Sequence, residues 1–440
     1  MFDKRYHYYG QTTSLCEECL APVQAKIIFA NNCVYYLKYC PTHKYQTALI
    51  STDIAYFKQC RNFYTHEPLK PQHYFGTIEK GCPFDCGLCD DHEQHTAMAI
   101  MEVLDECNLR CPTCIAASAP GAGNHRNLKE IDSMLNMLVK SEGHPDLLMI
   151  SGGEPTIHSD IIDIVKLAKS KPIKHIMLIT NGLRIAKDKA FVQELKALKD
   201  NLEIYLQFDS LTPAVTENIR GENLKDIRLQ AIANLDEAGI HSTLICVVKK
   251  NLNDHEVNDV IEFALQFKYI RGVTFQPCKE IGRSETFDKA TNYITLSEVR
   301  KKIIKTSKYF TAKEMLPHPL NPENICIGYL SKKDNKISPV TSTLFRENQQ
   351  NNNGHLYFEN ASALKTKMYF LPELNTNDFS YENLFRVTIV SFLDKYNFCT
   401  SSVKRSSIHF LTRDNRLIPI DTYYLLYQNQ EQNTIKIYDV

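Results

Sequence analysis

The chain has 440 residues, 43% of them hydrophobic, with 51 basic and 51 acidic side chains. That length suits two or three folded units with a sizeable core. The even charge offers no basic face for nucleic acid, and no apolar run reaches the ~18 residues that a membrane helix needs.

Taken along the chain, the start (Met1-Phe2-Asp3-Lys4-Arg5) lacks the apolar stretch of a signal peptide. With no such signal, the fifteen cysteines read as thiols kept free for metal in a reducing cytoplasm, not as a disulfide framework. Residues 14–50 read as a small metal ribbon: Cys16-x2-Cys19 and Cys40-x2-His43 flank a β-rich stretch, the spacing of one tetrahedral site. Zinc or a mononuclear iron would suit these four ligands. So small a segment needs its metal in order to fold. Cys33 reads as a packing residue.

Cys82-x3-Cys86-x2-Cys89 follows, and then Cys107-x3-Cys111-x2-Cys114. Between residues 99 and 278 the pattern alternates. Strands are expected at 99–105, 147–152, 175–181, 203–209, 241–248 and 272–278. Helical periodicity fills 128–142, 160–170, 191–200, 226–238 and 257–267. Such alternation predicts an α/β fold with parallel strands and right-handed crossovers. Six units are too few to close an eightfold barrel, so a partial (β/α)6 barrel is expected. In such sheets ligands sit at the C-terminal strand ends, where Cys107, Gly152-Gly153-Glu154, Thr180-Asn181, Asp209 and Gln276 fall. After about residue 291 the pattern weakens into a small α+β extension, with a polar loop at 349–354 and apolar character again at 387–398 and 407–412. The expected units are a ribbon at 1–75, a cluster segment at 76–98, the barrel at 99–290 and a substrate-covering extension at 291–440.

Each cysteine triplet packs three soft ligands into eight residues. A [4Fe–4S] cube normally takes four thiolates. Three leave one iron open to bind a small molecule and pass it an electron. The alternative for Cys107, Cys111 and Cys114 is a zinc knuckle, against which stand the strand before them and the Gly-Gly-Glu after them. The same alternative applies to Cys82, Cys86 and Cys89, for which Cys60, His92 and His95 are the candidate fourth ligands and an open iron is the other option.

These motifs give the chain a resemblance to the radical S-adenosylmethionine superfamily, and within it to the group holding the pterin methylase and the tetraether lipid synthase of methanogens. The likeness is carried by Lys80-Gly-Cys-Pro-Phe-Asp-Cys-Gly-Leu-Cys89, Cys107-Asn-Leu-Arg-Cys-Pro-Thr-Cys114, Ser151-Gly-Gly-Glu-Pro-Thr156, Ile179-Thr-Asn-Gly182, Tyr205-Leu-Gln-Phe-Asp209, Asn253-Asp-His-Glu-Val257, Gly272-Val-Thr-Phe-Gln-Pro277 and Cys40-Pro-Thr-His43. It implies that Cys107, Cys111 and Cys114 hold a catalytic [4Fe–4S] cluster, and Cys82, Cys86 and Cys89 an auxiliary one. Gly152, Gly153 and Glu154 would hold the methionine end of S-adenosylmethionine, with Asn181, Gln207 and Asp209 near its nucleoside. It further implies a flavodoxin- or ferredoxin-type reductant. The reaction would be hydrogen abstraction from an unactivated C–H, then methylation or carbon-chain coupling on a small-molecule or lipid substrate.

The C-terminal part departs from that group. Ser406 and Ser407 stand where a cysteine pair is expected, leaving Cys326 and Cys399, too few for a third four-thiolate site. Cys246 and Cys278 read as core, with a pocket-lining role as the alternative for Cys278. His318 and His409 are weighed as possible substrate-site residues against local hydrogen bonding. One rival reading is a peptide-modifying radical enzyme, for which no recognition domain is found. The other is a non-enzymatic iron–sulfur redox or interaction protein, which explains the thiols but not the Gly-Gly-Glu turn.

Overall fold

The computed structural model describes residues 5–63, 70–318, 320–333, 336–342, 381–414 and 416–428. The expected polar loop at 349–354 lies outside them.

Four strands, β1 (His7–Leu15), β2 (Pro22–Ala30), β3 (Cys33–Cys40) and β4 (Lys44–Ser51), form an antiparallel meander. Burial alternates along β2 and β3, as a sheet with one covered face requires. Asn31 and Asn32 both have positive φ between β2 and β3, the tight hairpin geometry that Asn tolerates. The inner face packs on the helix Ile54–Arg61, on Phe57, and on Cys399 from the far end of the chain.

The six expected strands all form: β5 (Met98–Glu102), β6 (Leu147–Ser151), β7 (His175–Thr180), β8 (Leu202–Gln207), β9 (Ser242–Val248) and β10 (Ile270–Pro277). Each pairs in parallel with the next. They are apolar on both faces because both faces are covered. Ala99, Met101, Leu148, Ile150, Leu178, Ile204 and Leu206 pack outward against the helices. Met98, Ile100, Met149, Met177, Ile179, Tyr205 and Ile245 turn inward and line a lumen.

The C-terminal part does not stand apart as a separate unit. Its strand β12 (Leu384–Val390) pairs in parallel with β10, and β13 (Ile408–Leu411) pairs in parallel with β5. The parallel run thus reaches eight strands, in the order β13-β5-β6-β7-β8-β9-β10-β12. Antiparallel β11 (Ile325–Lys333) and β14 (Leu417–Pro419) cover its two edges. The physical reason is that an open six-stranded sheet exposes two rows of unpaired backbone groups, which adding strands satisfies. β12 also brings Arg386 to the lumen floor, where it donates to Glu203 Oε1 (2.6 Å) and Thr243 Oγ1 (3.0 Å).

Outside the lumen, His409 on β13 meets His92, with Nε2 atoms 3.0 Å apart. His92 Nε2 is also 2.8 Å from the Ser406 carbonyl. Burial lowers His92 from 6.5 to about 4 and also pushes His409 down. Unfolding therefore takes up protons below pH ~6.5, and the neutral pair's contribution is complete above that pH and lost as pH falls toward 4. For His92 alone the loss reaches about 3 kcal/mol. The expected outcome is a lower urea midpoint at pH 5 than at pH 8, with a flatter pH slope in His92→Asn. An unchanged slope in that variant would locate the acid sensitivity elsewhere.

Candidate functional site

The three-cysteine loop leaves the C-terminal end of β5. Cys107, Cys111 and Cys114 share one apolar pocket with Leu109, Leu183, Leu224 and Ile227. None forms a disulfide. Burial pushes the Cys107 thiol up to about 12, and burial likewise raises Cys111, which the neighbouring Arg220 partly offsets. Three ionised sulfurs in so apolar a site need a cationic partner, which bound metal supplies. The donor set and its surroundings therefore fit an iron–sulfur cluster.

This loop is clasped to the Gly-Gly-Glu turn that follows β6. Gly153 N donates to Leu104 O (3.0 Å), Glu154 N to Glu106 O (2.9 Å) and Val103 N to Ser151 O (2.9 Å). A Cβ on Gly152 would lie 2.2 Å from Leu104 O, and one on Gly153 2.0 Å from Glu106 O. The glycines thus let two chain segments touch, a demand distinct from the ligand approach expected of them. Glu154 is buried, which pushes its carboxyl up, but four donors oppose that: Thr156 N and Oγ1, Thr180 Oγ1 and Asn181 N.

Asn181 is buried, with Nδ2 on Asn108 Oδ1 (2.8 Å) and Oδ1 on Leu183 N (3.0 Å). Asp209, at the bend after β8, is 1% exposed and clamped by two arginines. Arg220 Nε and NH2 donate to its two oxygens at 2.7 and 2.8 Å, and Arg228 NH1 donates at 2.8 Å. Burial opposes ionisation of Asp209, but the two guanidiniums outweigh it and hold the carboxyl well below its usual range. Gln207 faces the lumen instead. The lumen cavity is about 240 Å³. Cys114, Gly152, Gly153, Glu154, Gln207 and Arg220 stand at its mouth, above the apolar wall. Cys278 and His318 also border it, whereas His409 does not. Sequence spacing gave no sign of Arg220. It closes a helix eleven residues after Asp209, and only the fold turns it back onto Cys111.

The ribbon ligands converge. The donor atoms of Cys16, Cys19, Cys40 and His43 all lie within 4.8 Å of one another. Cys19 and Cys40 sulfurs are 4.0 Å apart, near the ~3.8 Å that Zn–S bonds of 2.3 Å give in a tetrahedron. Gln46 Nε2 donates to Cys16 Sγ at 3.4 Å, an outer support.

Of Cys82, Cys86 and Cys89, Cys86 lies against the helical segment 420–427, where Thr422 Oγ1 donates to Cys86 Sγ (3.3 Å) and Cys86 N to the Tyr427 hydroxyl (3.1 Å). Burial and the neighbouring Cys86 hold the Cys82 thiol up, Cys86 having the larger influence. None of the three expected fourth ligands joins them. Cys60 sits by Tyr56 and Cys326, His92 faces Ser406 and His409, and His95 pairs with Glu142 (3.0 Å). Cys399 Sγ contacts Thr12 Oγ1 (3.2 Å).

Comparison with known proteins accords with this geometry. The profile of the radical SAM superfamily matches residues 101–264, and that of the HMPTM N-terminal zinc ribbon domain matches residues 8–52. Residues 101–264 thus carry a radical SAM domain. It is an enzyme of transferase type, with a [4Fe–4S] cluster and S-adenosylmethionine as cofactors and a further metal site in the ribbon. It is 26% identical to the 7,8-dihydro-6-hydroxymethylpterin dimethyltransferase of Methanocaldococcus jannaschii, over 97% of this chain and 96% of that one. The GTP 3',8-cyclase of Haemophilus influenzae is 30% identical over 38% of this chain, which spans about half (50%) of the cyclase. The crystal structure of Streptococcus suis SuiB bound to S-adenosylmethionine aligns at a TM-score of 0.41 and 18% identity, over 47% of this chain and 46% of that one. Among the described residues no helix is long and apolar enough to cross a membrane.

Two variants probe this architecture. Gly153→Ala forces Glu106 away, so thermal melts and retained iron are both expected to fall; wild-type values would show that the clasp yields cheaply. Asp209→Asn leaves two buried guanidiniums short of a charge, and calorimetry is expected to show a loss of about 3–5 kcal/mol.

Proposed function

We propose that the enzyme forms carbon–carbon bonds by methylation or chain coupling, at an unactivated carbon of a small-molecule or lipid substrate, in the reducing cytoplasm. The reading is carried by one observation: the three-cysteine loop opens onto a lumen lined by Met98, Ile100, Met149, Met177, Ile179 and Ile245. When bound, the cluster and S-adenosylmethionine supply a 5′-deoxyadenosyl radical, formed by reductive cleavage of the sulfonium.

The chain's own residues have other tasks. Cys107, Cys111 and Cys114 would hold the cluster, which would bind the cofactor. Gly152, Gly153 and Glu154 shape the turn beneath its methionine end. Asn181, Gln207 and Asp209 frame the nucleoside side, with Gln207 presenting its amide directly and Asp209 acting through Arg220. The apolar wall excludes water and orients the C–H to be attacked, which is where such catalysis gains most. Its lining suits a substrate whose reacting carbon lies in an apolar portion. Cys82, Cys86 and Cys89 would carry an auxiliary [4Fe–4S] cluster, and a flavodoxin or ferredoxin would deliver the electron.

Anaerobic incubation of the iron-loaded enzyme with S-adenosylmethionine and dithionite is expected to release 5′-deoxyadenosine, measured by chromatography. The variant with Cys107, Cys111 and Cys114 all replaced by Ala is expected to release none. Equal release from both proteins would sink the assignment.

A further inference from the structure

After β10, residues 282–286 run along the three-cysteine loop and touch it from Arg110 to Ser118. Arg283 and Ser284 pair antiparallel with Cys114 and Thr113. Glu285 N donates to Pro112 O (2.9 Å), and its carboxylate takes Arg110 NH2 (2.8 Å). Thr286 and Thr113 hydroxyls meet at 3.2 Å. The strap fits tightly: Gly282 has φ +60°, and a Cβ there would lie 2.2 Å from Ile115 O.

Arg283 makes the central contact. Its Nε donates to Cys111 O (2.6 Å), NH1 to Ala117 O (3.2 Å) and NH2 to Ser118 O (2.5 Å). One planar guanidinium thus gathers three carbonyls from both sides of Cys114, a geometry lysine cannot copy. Among the described residues no carboxylate lies within ion-pair distance of it. Its positive charge therefore stays directed at the loop.

We propose that Arg283 is a positioning residue for the three-cysteine loop, fastening its carbonyls and holding a positive charge, unpaired with any carboxylate, on the loop that bears the sulfur ligands. The proposal rests on the reading of that loop as the cluster site. Two effects follow. Fastening slows opening of the loop and so slows loss of iron. The fixed charge favours the reduced, more negative cluster and raises its potential, as nearby charge and hydrogen bonding do in iron–sulfur sites.

The test compares wild type, Arg283→Met and Arg283→Lys after anaerobic loading with iron and sulfide. The readouts are the rate of iron release to a chelator and the midpoint potential of the paramagnetic signal that responds to S-adenosylmethionine. In Arg283→Met, iron release is expected to rise at least threefold and the reduction equilibrium to fall about tenfold, ~59 mV for one electron. In Arg283→Lys, the potential is expected to return toward wild type while iron release stays fast. A folded Arg283→Met protein with wild-type release and potential overturns the proposal. Should that variant not fold, Arg283→Lys decides: fast release with a near-normal potential supports it, and wild-type release overturns it. A wild-type protein that takes up no cubane cluster overturns the functional reading itself, a result visible before any variant is made.

Discussion

The clasp between the loop after β5 and the turn after β6 is the constraint on which the site depends. Three backbone hydrogen bonds hold residues 103–106 against residues 151–154. They set the height of the cysteine loop above the lumen and turn Glu154 inward. Side chains could not make this joint, because the segments approach more closely than a Cβ permits. A glycine pair is therefore required by packing before any ligand is considered. The buried Glu154 then ties the same joint to β7 through Thr180 and Asn181. Three consecutive strand ends are locked together, and the cysteines ride on that frame.

A second layer of order is electrostatic. Asp209 pairs with two buried guanidiniums, and one of these, Arg220, reaches the cysteine pocket. At the opposite end of the lumen, Arg386 and Glu203 form another buried pair. Charge is thus confined to the mouth and the floor, with a hydrocarbon-like wall between. Buried ion pairs rarely add stability over apolar packing, so their value here is placement: each fixes where a strand end can lie.

The barrel was legible because its strands are buried on both faces and so read as short continuous apolar runs, each followed by a helix-period segment. The ribbon was legible because ligand spacing is local: Cys16 to Cys19 and Cys40 to His43 each bend one short turn. What escaped was long-range. β12 and β13 are short and separated from the barrel by a stretch of weak pattern, so their apolar residues gave no hint of pairing with β10 and β5. Arg220 and Arg283 were invisible for the same reason, since each acts on a loop about a hundred residues or more earlier in the sequence. His92 lay close in sequence to Cys82, Cys86 and Cys89 and was weighed as their fourth ligand, yet the arrival of β13 turns it toward His409.

The pairing of β13 with β5 joins Ile408 to Met98 across most of the polypeptide. A ribosome makes β5 long before β13. During that interval one margin of the nascent sheet is bare, and the thiol-bearing loops beside it have only part of their eventual shelter. Non-local pairings of this kind form late and slowly. The frame that carries the cysteines is therefore complete only once the last strands have been made and paired.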